Sequence, residues 1–134
     1  AKEAFHQSLA LNENQVEARH NLIELLLEQG TVSEALQITQ AGIEITPDDW
    51  RFYHLAGNAY QSLGNLNEAI GKYRQALTLE QSQPKIYVEL GNALYLHGQI
   101  TESKAIFERG LILHPTHTGI LDALSDLEGH HATS

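Results

Sequence analysis

The 134-residue chain has no cysteine and no methionine, only three prolines and one tryptophan, and eight Lys and Arg against 17 Asp and Glu. Without cysteine there is no disulfide, no thiolate zinc site and no cysteine nucleophile. The compartment stays open, because reducing and oxidising surroundings both allow such a composition. The scarcity of cations leaves a formal charge of −9. That balance repels phosphate backbones and anionic lipid, which argues against nucleic acid and membrane surfaces as partners. No apolar run is long enough to span a bilayer, and no signal-peptide pattern opens the chain. With no methionine, Ala1 is not an unprocessed start. The expectation is a soluble piece of a longer chain, from cytoplasm or periplasm.

Catalytic motifs are missing as well. There is no nucleophile elbow and no phosphate-cradling glycine loop, and a carboxylate pair carries no weight in so acidic a chain. The expectation is a protein that is not an enzyme and takes no cofactor. Period-two alternation is absent over any useful length, so no strand is expected.

What is present is a repeat. The stretch Trp50 to Gln83 holds two apolar runs of helical spacing hinged at Leu63-Gly64-Asn65, and it recurs on sliding by 34 residues. Gly64 falls on Gly98 and Gly30, Glu68 on Glu102 and Glu34, and Leu66 on Ile100 and Val32. Gly57 and Asn58 fall on Gly91 and Asn92. Self-similarity of this length indicates a stack of helical units that bury their apolar faces against one another.

Taken in order, residues 1–11 form an amphipathic stripe whose Ala1, Phe5 and Leu9 stand in register with Ala69, Tyr73 and Leu77. The chain therefore opens on the second helix of a repeat. Val16 to Gln29 reads as a helix ended by Gly30. Thr31 and Glu34 fit a capping box for the next, running to about Ile45. Pro47 stops that helix, and Asp48 or Asp49 caps Trp50 to Leu63. Asn65 with Glu68 repeats the cap before Leu66 to Leu79, and Pro84 suits a first helical position ahead of Lys85 to His97. Ile100 to Leu113 follows Gly98. A last helix, about Thr118 to Glu128, turns Ile120, Leu121, Leu124 and Leu127 inward and leaves 130–134 as a tail.

These residues resemble the tetratricopeptide repeat, a helix–turn–helix unit of the same period. Ala56, Gly57, Tyr60, Ala69, Tyr73 and Ala76 occupy its signature positions in the central copy. Leu90, Gly91, Leu94, Ser103, Phe107, Gly110 and Pro115 do so in the next, and Leu22, Leu26, Ala35, Gly42 and Pro47 in the one before. The resemblance implies an all-α, right-handed α-solenoid of antiparallel helix pairs in one domain. It comprises three full repeats at 16–49, 50–83 and 84–117, a truncated repeat at 1–15 and a capping helix at 118–129. Gly57 and Gly91 would let first helices close on Ala69 and Ser103, and Ala76 and Gly110 would let the next repeat dock. Tyr60, Tyr73, Leu94 and Phe107 would fill the spaces so made. Ile23 stands where glycine is usual and Thr39 where an aromatic is, so 16–49 is expected to pack wider and to be the softest unit. Ser125 and Glu128 would give the last helix a polar outer face.

The resemblance also implies a concave groove lined by first helices, binding an extended peptide or a partner's helix. The columns that would face it hold Glu17, His20, Glu24, Leu27 and Glu28 in the first full repeat. The second offers Arg51, His54, Asn58, Gln61 and Ser62, the third Lys85, Val88, Asn92, Tyr95 and Leu96, and the cap Asp122 and Asp126. Amides such as Asn58 and Asn92 can hold a peptide by its backbone. Arg51 and Lys85 could equally pair with Glu17 or Glu89 as weak surface ion pairs. Members that grip the carboxylate of chaperone tails do so with Lys, Asn and Arg. The corresponding columns here hold His20, Glu24, Leu55, Gly119 and Ala123 in one register and His54, Asn58 and Glu89 in the other, so that clamp is absent. The asparagine ladder of the sugar-transferase type fails too, its column reading Asn21, Leu55, Glu89, Ala123.

Eight histidines raise a metal reading, with His20, Glu24 and His54 the nearest candidates, but the spacing lacks a metal motif and no metal is expected. Their protonation would take the charge from −9 to −1, making pH a plausible lever. Two rivals to a peptide-binding scaffold remain. One is self-assembly into homo-oligomers by end-to-end stacking through the terminal half-repeat with Phe5 and Leu9. The other is a docking arm of a larger enzyme.

Overall fold

The computed structural model describes the backbone of residues 13–133 and the side chains of residues 15–128. The expected helix over 1–11, with Phe5 and Leu9, lies outside the described residues. Among the described residues the fold is all-α. The helices are α1 (Glu13–Glu28), α2 (Val32–Ile45), α3 (Trp50–Ser62), α4 (Leu66–Leu79), α5 (Pro84–Leu96), α6 (Ile100–Leu113) and α7 (Thr118–Thr133). They fall into two compact units, Ala1–Leu79 and Glu80–Ser134. The first holds the pairs α1–α2 and α3–α4, the second α5–α6 and then α7.

The hinge within each pair is a left-handed glycine. Gly30, Gly64 and Gly98 have φ of +82°, +78° and +88°, a region that costs any residue with a Cβ. At the central hinge Asn65 N–H donates to Tyr60 O (2.9 Å) and Gly64 N–H to Gln61 O (3.0 Å). This is the pattern that satisfies the last carbonyls of a helix and reverses the chain. The same two bonds recur at Gly30 and Gly98.

Caps follow the sequence in part. Asp49 caps α3, its Oδ1 accepting from Arg51 N–H at 3.1 Å, and Pro84 opens α5. The capping box expected at Thr31 does not form. Thr31 Oγ1 turns back instead and donates to Leu26 O at 3.0 Å, serving the carbonyl end of α1 rather than the amide end of α2. Asn65 contributes its backbone carbonyl, which accepts from Ala69 N–H.

Packing within each pair rests on one close approach. A Cβ placed on Gly57 would overlap the Tyr73 ring, and one on Gly91 would overlap the Phe107 ring. Ser103 Oγ donates to Gly91 O at 2.7 Å, as tight a crossing as the small residues allow. The glycine thus receives an aromatic ring from the second helix, not only the small Ala69 or Ser103. The α1–α2 pair solves the same problem with the volumes exchanged. Ile23 and Thr39 are both fully buried, and the threonine hydroxyl donates to Ala35 O at 2.6 Å, so no polar group is stranded. Ile23 joins Val16, Leu26, Ala35, Phe52 and Leu55 in one apolar cluster. Phe52 lies over Gly42, whose Cβ would come within 2.8 Å of the ring. In the second unit Gly110 receives Tyr87 and Ile120 in the same way.

Two expectations about side chains need correction. Tyr60 is only half-buried. On α7, Ile120 and Leu127 are buried but Leu121 is 42% exposed, because it lies about 100° around the helix from Ile120. The helix also runs on to Thr133, since after Glu128 only Gly129 disfavours it, by about 1 kcal/mol. Ser125 and Glu128 are exposed, giving the polar outer face anticipated.

The two kinds of glycine make opposite predictions. Gly57→Ala should lower stability by about 1–3 kcal/mol through overpacking against Tyr73. Gly71, inside α4 with open space around it, should gain roughly 0.5–1 kcal/mol on conversion to Ala. Denaturant unfolding of the two variants measures both signs.

Candidate functional site

In the first unit α1 and α3 pack beside each other, and the residues singled out from sequence line this face unequally. Glu17 and Glu24 are exposed. His20 is half-buried, its Nδ1 lying 3.3 Å from Glu24 Oε1 one turn on, an ion pair only when the imidazole is protonated. His54 does not belong to the exposed set. It is 8% exposed, with its ring 6.0 Å from both the Trp50 and the Tyr73 rings. The imidazole is thus enclosed by rings rather than offered to solvent.

Arg51 also has an occupation other than the one expected. Its Nε donates to Asp49 Oδ1 (3.0 Å) and its Nη2 to Asp49 Oδ2 (2.7 Å), a two-pronged pair of the strong kind. The same carboxylate caps α3, so the guanidinium clamps the residue that starts its own helix. Burial alone would push the Asp49 carboxyl up. The hydrogen bonds from the Arg51 side chain and backbone, the Arg51 charge and the nearby His20 outweigh it and hold the group below its ordinary value.

Asn58 and Gln61 converge on a residue that sequence reasoning treated only as filler. The Tyr73 hydroxyl, from α4, lies 2.6 Å from Asn58 Oδ1 and 3.0 Å from Gln61 Oε1. The ring is fully buried, while both amides are half-buried. The signal was available: a buried tyrosine needs a hydroxyl partner, and the amides one turn apart on the facing helix were the obvious candidates.

In the second unit α5 and α7 pack beside each other. Lys85 and Asn92 are exposed, Val88 and Tyr95 half-buried. Val88 Cγ2 approaches Gly119, coming 3.8 Å from where its Cβ would be. Phe107 occupies the column of Tyr73 here and carries no hydroxyl, so Asn92 lacks the anchor that Asn58 has. No group of three His, Cys, Asp or Glu able to hold a metal exists among the described residues. Nor, among them, is any helix long and apolar enough to cross a membrane.

The Tetratricopeptide repeat model matches residues 1–58 and the TPR repeat model residues 57–98. The chain belongs to the tetratricopeptide repeat family. Among relatives of this TPR chain is Protein O-mannosyl-transferase TMTC2 of Homo sapiens, 30% identical over 100 residues, which cover 72% of this chain and 12% of that one. The chain thus spans about an eighth of the length of such relatives. Among solved structures, the second TPR domain of human RPAP3 in complex with the HSP70 peptide SGPTIEEVD aligns with TM-score 0.77 at 23% identity, over 85% of this chain and 95% of that one. The chaperone SycD of Yersinia enterocolitica, in complex with a peptide of the translocator YopD, aligns with TM-score 0.79 at 17% identity, over 90% and 98%.

The Asp49–Arg51 clamp predicts a pH effect. A carboxyl held below its unfolded value contributes stability that is present above about pH 4, the unfolded pKa, and is lost as pH falls through the folded one. Asp49→Ala should cost about 1 kcal/mol at neutral pH and flatten the acid limb of the stability profile. Chemical denaturation from pH 7 to pH 3 reads both.

Proposed function

We propose that this TPR chain is a protein-interaction scaffold, without catalytic activity of its own, that holds an extended peptide segment of a partner. The observation that carries the reading is the α1–α3 face of the first unit. It offers the Asn58 and Gln61 amides of α3, hydrogen-bonded to the buried Tyr73 hydroxyl, and the exposed carboxylates of Glu17, Glu24 and Glu28 on α1. With Arg51 engaged by Asp49 and the chain at −9, the favoured segment is cationic. Potentials of one sign speed the encounter with such a segment and select against acidic ones. The solved neighbours bring peptide binding to this reading, though the HSP70 peptide of the RPAP3 domain is not carried over, since Glu24 and Glu89 stand in the columns of the clamp for such peptides. The same reading extends to Lys85, Val88, Asn92 and Tyr95 on α5, taken as a separate contact set.

A selection from a random library of unconstrained peptides tests it. Binders enriched in Lys and Arg are expected, weakening as salt rises. Glu24→Lys with Glu28→Lys should cost about tenfold in affinity, roughly 1.4 kcal/mol. For a peptide selected on the separate contact set of the second unit, Asn92→Ala should weaken binding with an unchanged melting temperature. A library that yields no binders, or binders indifferent to the charge reversal, contradicts the reading.

A second reading, self-association, has one observation in its favour. Leu22 and Leu25 on α1 are 44% and 48% exposed, whereas Ala56 and Ala59, their counterparts one repeat on, are fully buried. Light scattering across a dilution series decides it: a mass independent of concentration removes this reading.

A further inference from the structure

We infer that His117 is a pH-sensing cap: its neutral imidazole fastens the first turn of α7, and protonation releases it. The argument starts from a donor that needs a partner. Ile120 is the third residue of α7, and the amides of a first helical turn have no carbonyl within their own helix. This amide belongs to a fully buried residue, so water cannot stand in. It donates instead to the imidazole just ahead of the helix, Ile120 N–H lying 3.2 Å from His117 Nδ1. The ring rests against the first turn. A Cβ on Gly119 would come within 2.9 Å of its Cε1, so the one residue type without a side chain stands where the ring needs room.

An imidazole nitrogen accepts only while it bears no hydrogen. Nδ1 therefore serves the amide when the ring is neutral and its hydrogen is on Nε2. Turning the ring over would set a carbon there and leave the amide with no acceptor. On protonation Nδ1 gains a hydrogen, two donors face each other, and a buried N–H loses its partner. The new charge also sits at the end of a helix that disfavours cations. Both effects act in one direction. The cap is in place above the range where imidazoles titrate, around pH 6.5, and is lost as pH falls through it. Ile120 packs against Gly110 of α6, so the release reaches the core of the second unit.

Neighbouring charges do not offset the loss. Val88 of α5, which reaches Gly119, is flanked by Lys85 and Glu89. The last turn of α6 is the apolar Leu111-Ile112-Leu113, with Glu108 and Arg109 behind it, and α7 carries Asp122. Glu80 is bonded to Ser82. Among the described residues none of these pairs with the His117 ring. His114, three residues earlier, is built the opposite way. Its Nε2 lies 2.7 Å from Ser82 O, and a carbonyl only accepts, so that nitrogen carries its hydrogen in the neutral and the charged ring alike. His114 also stands at the C-cap of α6, the end that favours a cation. Acid thus spares this contact and acts on α7. The same column one and two repeats earlier holds Gln83 and Asp49, so α7 alone of the three helices has an imidazole there.

Amide hydrogen exchange of the whole chain, followed residue by residue, tests the inference. Corrected for the intrinsic rate, the protection of Ile120 should fall about tenfold from about pH 7.5 to about pH 5. In His117→Asn, whose side-chain oxygen accepts and does not titrate, the fall should vanish, whereas His114→Gln should retain it. No fall in the wild-type chain, a fall of the same size in His117→Asn, or one abolished by His114→Gln overturns the inference. Nitrogen-15 spectra of the imidazoles give an arm that needs no variant. At the upper pH the His117 hydrogen should sit on Nε2, with Nδ1 bare. A hydrogen on Nδ1 overturns the inference whatever the exchange data show.

Discussion

The structure depends on a glycine meeting an aromatic ring where two helices cross. At Gly57 against Tyr73, and again at Gly91 against Phe107, the first helix of a pair gives up its side chain so that the second can insert a ring. The contact sets how near the helices come, buries Tyr73 and Phe107 and leaves no room for a methyl group. Each pair closes on itself through a left-handed glycine hinge, so local sequence supplies both the reversal and the contact that rewards it. In the α1–α2 pair Ile23 and Thr39 stand at the corresponding positions, and both are fully buried.

That same contact brings chemistry to the surface. A phenylalanine at the crossing does nothing but pack. A tyrosine also brings a hydroxyl, which meets the half-buried Asn58 and Gln61 of the first helix. At this crossing the two units differ by one oxygen atom, present in Tyr73 and absent from Phe107. Charge sorts in a related manner. Arg51 looks like a cation available to a ligand, but its carboxylate partner Asp49 binds it twice over and uses it to start α3. The exposed charges of α1 at Glu17, Glu24 and Glu28 are acidic.

Most of the fold was legible in the sequence, because the repeat is carried by residues with steric meaning: hinge glycines, small residues at crossings, and prolines and aspartates at helix starts. The misreadings came where one side chain had two possible partners. Thr31 could cap the helix ahead or close the helix behind, and its hydroxyl donates to a carbonyl of the helix behind. Leu121 follows Ile120 in sequence and shares its hydrophobicity, but only one of them faces inward. The site was less legible for the same reason. Register puts His54, Asn58 and Arg51 in columns that face a ligand elsewhere in the family, but it says nothing of what each column's residue touches. His54 went into the core, Arg51 to its cap and Asn58 to a buried phenol.

The account stands on a peptide lying along the α1–α3 face of the first unit. Backbone chemical-shift mapping with a library-selected peptide tests this most directly. Changes centred on Glu24, Asn58 and Gln61, with Leu22 and Leu25 unmoved, are the expected result. Changes centred on the Leu22–Leu25 edge, or on α2 around Leu36 and Gln40 with the amide pair silent, would contradict it.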